Sequence, residues 1–234
     1  MSIHISNAKI LTPFQTIEQG EVIVLDDGKI LSVGSLSDSE SQTDLSIDAS
    51  GFFLAPGLID IHVHGGFGVT FGMADLKEGL RKYSKKILAT GVTGFLLSIA
   101  APDFQALLEM IRSYVPLLEE GLPGAQALGL HLEGPYLNIE KKGAFNPTWL
   151  REPDLEEVKS IIKTGEGWIK QVTMAPELKN ADSIAEVFQD NHIVVALGHS
   201  NTDFQTASTA LNGRFSHITH TFNAQSSFNH RDPG

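Results

Sequence analysis

Leu58-Ile-Asp-Ile-His-Val-His64 reads as a strand that ends in two closely spaced histidines and leads into Gly65 and Gly66. Residues i and i+2 of a strand point to the same face, so His62 and His64 can coordinate one metal ion. Three later predicted strands also end in a metal-capable side chain: Glu133, His199 and His220. This joint placement suggests a metal-dependent hydrolase.

Strands alternate with helices after this stretch, which indicates parallel β/α units. We predict strands at Leu58–His64, Val92–Ser98, Ala127–Glu133, Ile169–Ala175, Ile193–Gly198 and Phe215–His220, with intervening helices that include Leu76–Leu88, Phe104–Leu118, Asp154–Lys163 and Ala181–Gln189. An open sheet would fit, but metal donors from separate strand ends favour a barrel, where all strands end at one mouth.

A complete barrel of this kind needs eight strands, and this chain offers about six. We therefore predict an incomplete (β/α)8 TIM-type barrel of the metal-dependent hydrolase kind. The final residues, Asp232-Pro-Gly234, read as a turn, so we expect the chain to be a fragment or truncated form of a longer protein.

Residues 1–54 have a different pattern of short β-rich runs. Asp26-Asp-Gly-Lys29 is a strong hairpin signal, and Ser37 to Asp44 reads as a polar loop. We predict part of a small β-sandwich domain at 1–54, followed at 55–234 by the incomplete barrel that holds the metal site.

Composition excludes several functions. The net charge of −11 argues against nucleic acid as a partner, because phosphate binding needs a basic face. The absence of cysteine excludes disulfides, thiolate metal sites and cysteine nucleophiles. We see no signal peptide and no apolar run long enough to span a bilayer, so we expect a soluble cytoplasmic protein without a membrane partner.

Glu133 ends the apolar run Ala127-Leu-Gly-Leu-His-Leu, where a carboxylate needs a cation. A metal is the best candidate, and a salt bridge to Lys141 or Lys142 is the alternative. His131 lies on the same face but deeper, so we expect it to pack in the core or to support a ligand.

His199 closes a nearly all-apolar strand, which favours a ligand over a packing role, and Thr202 or Asp203 can cap the helix that follows. His217 and His220 are three residues apart and face opposite sides of a strand. His220 is nearer the strand end and is chosen as the ligand, whereas His217 is expected to pack.

One carboxylate and two histidines leave an open position on a metal such as zinc. The pair His62/His64 could hold a second metal, with Glu133 bridging the two ions. A metal with an open position activates water and polarises a carbonyl, which is the chemistry of amide or ester hydrolysis.

The segment after His220 offers groups for a substrate. Arg231 can bind a phosphate or carboxylate through a bidentate fork, or it can form a surface ion pair with Asp232 or another acid. Asn223 and Ala224 can line the mouth. No lysine ends the fourth strand, which disfavours a carbamylated-lysine site, and no serine-hydrolase, P-loop or Rossmann motif is present.

Several motifs resemble the N-acetylglucosamine-6-phosphate deacetylase family of the amidohydrolase superfamily. They are Ala55-Pro-Gly-Leu-Ile-Asp-Ile-His-Val-His-Gly65, Leu130-His-Leu-Glu-Gly-Pro-Tyr-Leu-Asn138, Lys141-Lys-Gly-Ala-Phe-Asn-Pro147, Met174-Ala-Pro-Glu177, Ala196-Leu-Gly-His-Ser-Asn201, Thr219-His-Thr-Phe-Asn-Ala224 and Arg231-Asp-Pro-Gly234. They occur in order across essentially the whole chain.

The resemblance implies removal of acetate from N-acetylglucosamine 6-phosphate by a homodimeric enzyme. It also implies one or two divalent metal ions, with zinc as the first candidate and iron, manganese or another metal as alternatives. It implies that Glu133, His199 and His220 form the main metal site and that His62 and His64 match a second one. It also implies substrate contacts from Ala144, Phe145, Asn223, Ala224 and Arg231.

Two departures from the family pattern leave alternatives open. Phe145 stands where relatives often have histidine and cannot hydrogen-bond a sugar hydroxyl, so N-acetylgalactosamine 6-phosphate becomes a candidate substrate. The catalytic aspartate of the family is expected beyond Gly234, so no catalytic residue of that kind lies in this chain. The chain could therefore be an inactive fragment that binds metal or ligand, or another amidohydrolase.

Overall fold

The computed structural model describes residues 1–35, 43–72, 75–231 and 233–234. Most of the predicted loop from Ser37 to Asp44 lies outside these residues. The chain divides into two compact units, Met1–Gly57 and Leu58–Gly234.

The first unit is a β-sheet. Its strands are β1 (Ile3–Leu11), β2 (Thr16–Val24), β3 (Ile30–Ser35), β4 (Leu45–Asp48) and β5 (Phe53–Leu54). They lie in the order β3-β2-β1-β4, with β5 also paired to β1. The predicted hairpin joins β2 to β3, and Gly28 supplies the positive φ of 81° that the turn requires. The described strands of this unit form one sheet, so a second layer of the predicted sandwich is not among them.

The second unit contains the elements of the barrel. Its strands are β6 (Leu58–Val63), β7 (Gly65–Gly66), β8 (Val69–Thr70), β9 (Val92–Ile99), β10 (Gln126–Glu133), β11 (Ile169–Met174), β12 (Val194–Leu197) and β13 (His217–Ile218). Its helices are α1 (Leu76–Ile87), α2 (Phe104–Glu120), α3 (Leu155–Gly165), α4 (Ala181–Asp190) and α5 (Phe204–Asn212).

Six of these strands form one parallel sheet in the order β13-β12-β11-β10-β9-β6. The incomplete barrel predicted from the sequence is confirmed, with the strands in sequence order. β13 is shorter than predicted and covers two of the six expected residues. β7 and β8 form a separate two-stranded antiparallel hairpin.

Aspartates start four of the helices that connect these strands. Asp75, Asp103, Asp154 and Asp203 precede α1, α2, α3 and α5, and each accepts a hydrogen bond from a backbone N–H of the first turn. The buried faces of α1 to α4 pack on the outside of the sheet, where Leu97, Val172 and Val195 are fully buried. The helices thus hold the strands in register and leave the carboxyl ends of the strands to carry the site.

Candidate metal centre

Five predicted ligands converge at the carboxyl ends of the parallel strands. His62 lies in β6 and His64 follows it, Glu133 is the last residue of β10, and His199 and His220 come two residues after β12 and β13. Parallel strands present these ends at one edge, so residues far apart in the sequence meet there.

Glu133 is the centre of this cluster and is only 3% exposed. Its Oε1 lies 3.1 Å from His199 Nε2 and 2.8 Å from His220 Nε2. Its Oε2 lies 2.8 Å from His64 Nε2 and 3.4 Å from His62 Nε2. One carboxylate therefore faces four histidine nitrogens.

The electrostatics of the cluster follow from this geometry. Burial alone would raise the pKa of Glu133, but hydrogen bonds from His199, His62 and His64 outweigh it and hold the pKa well below its usual range. The hydrogen bond to Glu133 raises the pKa of His64 against the opposing effect of burial. Among the described residues, no lysine forms an ion pair with Glu133, so the alternative of a salt bridge to Lys141 or Lys142 is not seen.

His199 shows why this donor set fits a metal ion. Its Nδ1 lies 2.8 Å from the carbonyl oxygen of Lys141, which can only accept, so Nδ1 carries the hydrogen. In the neutral ring, Nε2 then carries a lone pair that faces a carboxylate oxygen of Glu133. A cation must lie between these two acceptors: either a proton on Nε2, which makes the hydrogen bond to Glu133 described above, or a metal ion in its place. A ligating histidine held by a carbonyl at its other nitrogen is the usual arrangement in metal sites.

The donor atoms of His62, Glu133 and His220 all lie within 4.8 Å of one another. This group shares Glu133 and His220 with the triad implied by the family resemblance, but includes His62 where the triad has His199. One carboxylate and several imidazoles suit zinc, iron and manganese alike.

His131 lies beneath the cluster, fully buried. Its Nδ1 is 2.8 Å from Ser98 Oγ and its Nε2 is 2.7 Å from Thr173 Oγ1, which in turn contacts Thr219 Oγ1 at 2.8 Å. Burial, with the nearby His62 charge, lowers the pKa of His131 to about 3. His131 is therefore a neutral support beneath the ligands, as expected from its deeper position on β10.

His217 differs from expectation, because its side chain is exposed rather than packed. With His62, His64 and His220 it lines a cleft of about 510 Å³ beside the cluster. The exposure of His217 could not be predicted from the sequence, since it depends on what lies next to β13 in space.

The predicted substrate residues lie at different places around the cluster. The Phe145 ring centroid is 5.3 Å from that of His199, in an edge-on arrangement, and Ala144 is exposed beside it. Asn223 donates its backbone N–H to His220, and the Ala224 carbonyl accepts from the Ser200 N–H. Arg231 is exposed and forms no ion pair within the described residues, and Asp232, its alternative partner, lies outside them.

The family model described as "Amidohydrolase family" matches residues 53–232. The chain belongs to the amidohydrolase family. Among curated proteins, it is 36% identical over 212 residues to the N-acetylglucosamine-6-phosphate deacetylase of Bos taurus, covering 88% of this chain and 52% of the relative. It is 34% identical over 237 residues to that of Bacillus subtilis, covering 100% and 59%.

Crystal structures of proteins named N-acetylglucosamine-6-phosphate deacetylase share the fold of this amidohydrolase chain. The crystal structure from Pasteurella multocida matches with a TM-score of 0.86 at 28% identity, covering 100% of this chain and 60% of that one. The crystal structure from Mycobacterium smegmatis matches with a TM-score of 0.85 at 26% identity, covering 99% and 59%. The chain spans about half the length of the curated relatives it matches.

Among the described residues of this amidohydrolase, no helix has the length and apolar character needed to cross a membrane.

Proposed function

We propose that the protein hydrolyses the acetamide of N-acetylglucosamine 6-phosphate to glucosamine 6-phosphate and acetate, a step of amino-sugar catabolism. The observation that carries this proposal is the Glu133 carboxylate facing four histidine nitrogens at the strand ends. The relatives named above, which bear this enzyme name, support the choice of substrate.

Glu133, His199 and His220 would hold a divalent metal ion, with zinc as the first candidate and iron or manganese as others. His62 and His64 would hold a second ion beside it. A metal ion held by these residues would supply polarisation of the scissile carbonyl and a lowered pKa of water, which would make hydrolysis possible near neutral pH.

The other residues of the chain would orient the sugar. Arg231 can hold the 6-phosphate through a bidentate fork, while Asn223 and the backbone at Ala224 contact the sugar near His220. Phe145 and Ala144 would contact the opposite side of the sugar. The aspartate that transfers the proton is expected beyond Gly234, on the basis of the family resemblance.

A second candidate substrate, N-acetylgalactosamine 6-phosphate, is favoured by Phe145. A phenyl ring offers no hydrogen bond to a sugar hydroxyl, so selection for the gluco epimer would have to come from other groups. We further propose that the chain divides into two domains, residues 1–54 and 55–234, and that the first of them is part of a β-sandwich. We also propose that the protein is a homodimer and is located in the cytoplasm.

The test measures acetate release by the purified, metal-loaded protein from each of the two sugar phosphates and from a cyclic amide. Release from either acetylated sugar supports the deacetylase, and hydrolysis of the cyclic amide alone would point to another amidohydrolase. Intact mass is measured on the same sample. A mass near 25.3 kDa together with no turnover of any of these substrates would contradict the catalytic proposal and favour an inactive metal-binding fragment.

A further inference from the structure

We propose that Glu177 is a positioning residue that holds His199 in the orientation required for metal binding. Glu177 ends the Met174-Ala-Pro-Glu177 motif in the loop between β11 and α4. It lies outside the ligand cluster, and its role rests on the proposed function of His199 as a ligand.

Glu177 contacts both residues that follow His199. Its Oε2 accepts a hydrogen bond of 2.7 Å from the Ser200 hydroxyl, and its Oε1 accepts one of 2.6 Å from the Asn201 backbone N–H. Ser200 is fully buried. These two bonds fix the chain directly after His199, whose φ of 50° is in the left-handed region that few non-glycine residues adopt.

Glu177 also reaches the ring of His199 by a second route. Its Oε1 accepts a hydrogen bond of 2.9 Å from Asn138 Nδ2. Asn138 starts the short turn Ile139–Lys141, because its Oδ1 accepts from the Glu140 N–H and its carbonyl accepts from the Lys141 N–H.

That turn presents the Lys141 carbonyl that receives the Nδ1 hydrogen of His199. The Asn138 N–H also donates directly to the His199 carbonyl at 2.9 Å. Glu177 therefore joins the loop that carries His199 to the loop that orients its ring. Such outer hydrogen bonds set the direction of a ligating imidazole and its availability to the metal.

The partners of Glu177 are neutral donors, and no lysine or arginine among the described residues forms an ion pair with it. Its function is therefore geometric rather than electrostatic. A glutamine can accept from Asn138 and Asn201 through its oxygen and donate to Ser200 through its amide, so Glu177→Gln keeps the arrangement. Glu177→Ala removes it.

The experiment compares the parent protein with Glu177→Ala and Glu177→Gln, and uses Asp203→Ala as the matched control. Asp203 lies in the same loop as His199, but its carboxylate accepts from the Thr206 N–H at the start of α5, whereas the His199 ring pairs with the Lys141 carbonyl and Glu133. A loss of loop or helix stability alone would appear in the control as well.

Zinc affinity is measured by competition with a chromophoric chelator. We expect Glu177→Ala to bind zinc at least about tenfold more weakly, the effect typical of losing an outer partner of a ligand. Glu177→Gln and Asp203→Ala should stay close to the parent. Equal affinity in the parent and Glu177→Ala, or equal loss in Glu177→Ala and Asp203→Ala, would overturn the proposal.

The metal-free protein gives a second readout by nuclear magnetic resonance. The Nδ1–H of His199, assigned by its absence in His199→Asn, should be protected from solvent exchange in the parent and in Glu177→Gln but not in Glu177→Ala. Persistence of this signal in Glu177→Ala would refute the inference even if zinc does bind. A parent protein that binds no zinc would refute the proposed function alone, because the resonance experiment still decides the role of Glu177.

Discussion

Glu133 illustrates at the scale of one residue what the sequence could and could not predict. A carboxylate at the end of an apolar strand had to find a cation, and its convergence with His199, His220 and the His62/His64 pair followed from strand ends alone. The groups around His199 could not be predicted, because one is the backbone carbonyl of Lys141. The other is the carboxylate of Glu177, which is separated from His199 in the chain by α4 and β12.

Replacing Glu133 by glutamine tests the central ligand. We expect Glu133→Gln to lose its metal, since a neutral amide is a much poorer ligand than a carboxylate for ions of this class and leaves four histidines without a counter-charge. Elemental analysis of the purified variant measures the metal content. The control is Glu186→Gln, which alters an exposed ion pair with Arg214. Stoichiometric metal in Glu133→Gln would contradict the assignment.

Phe145 is the position at which we expect sugar preference to change. Phe145→His introduces a ring nitrogen that can hydrogen-bond a sugar hydroxyl, a gain of about 1 kcal/mol. We therefore expect kcat/KM for N-acetylglucosamine 6-phosphate to rise several-fold relative to the galactosamine epimer. The epimer ratio is compared with that of Trp149→Phe, which alters the neighbouring aromatic ring. If the ratio of kcat/KM for the two epimers is unchanged in Phe145→His, Phe145 does not determine the sugar preference.

At the scale of elements, the β/α pattern predicted the strands of the barrel sheet to within a residue or two, except the last. The first unit was harder, because β1 continues through polar residues to Leu11. Its pairing with β2 shifts register between Ile5 and Ala8, and Asn7 has a φ of 61°. An irregularity of this kind turns the side chains without ending the strand, and alternation alone cannot reveal it.

Gly20 is a second case in which a local rule misleads. Glycine usually weakens a strand, so the run before Val22 does not look like one. In the structure Gly20 lies within β2, where a Cβ would collide with the side chain of Ile10 on β1. A side chain at position 20 would force the Ile10 side chain to move, a contact between two strands that a sequence read along one strand does not show.

The start of α2 offers a test of helix capping. Asp103 accepts a hydrogen bond of 2.8 Å from the Ala106 N–H, so Asp103→Ala should lower the free energy of unfolding by about 1 kcal/mol. Urea denaturation followed by circular dichroism measures the change. Arg112→Ala, an exposed site in the middle of the same helix, should stay within about 0.5 kcal/mol of the parent. Equal effects at both sites would mean that the cap contributes nothing.

At the scale of the whole molecule, the tyrosines report on folding at high pH. All three, Tyr83, Tyr114 and Tyr136, are at most 1% exposed. Burial raises the pKa of Tyr114 and Tyr136, and raises that of Tyr83 to about 12. A pKa that is higher in the folded state than in the unfolded state stabilises the fold below the unfolded value, and this stability is lost as the pH rises through the folded value.

We therefore expect no phenolate absorbance from the native protein near pH 10, where exposed tyrosine ionises. The phenolate signal should appear at higher pH together with the loss of circular dichroism. Unfolded protein in urea serves as the reference and should ionise near pH 10. Ionisation of the native protein at that same pH, with its secondary structure intact, would contradict the burial of the tyrosines.

The spacing of the donors along the chain has a further consequence. They run from His62 to His220 in a protein without cysteine, so a bound ion would act as a reversible cross-link that closes long loops and removes conformational freedom from the unfolded chain. Its contribution grows with the logarithm of the free metal concentration and reaches about 2.7 kcal/mol at a hundred times Kd. Metal supply would then govern how long the protein survives in the cell as well as whether it is active.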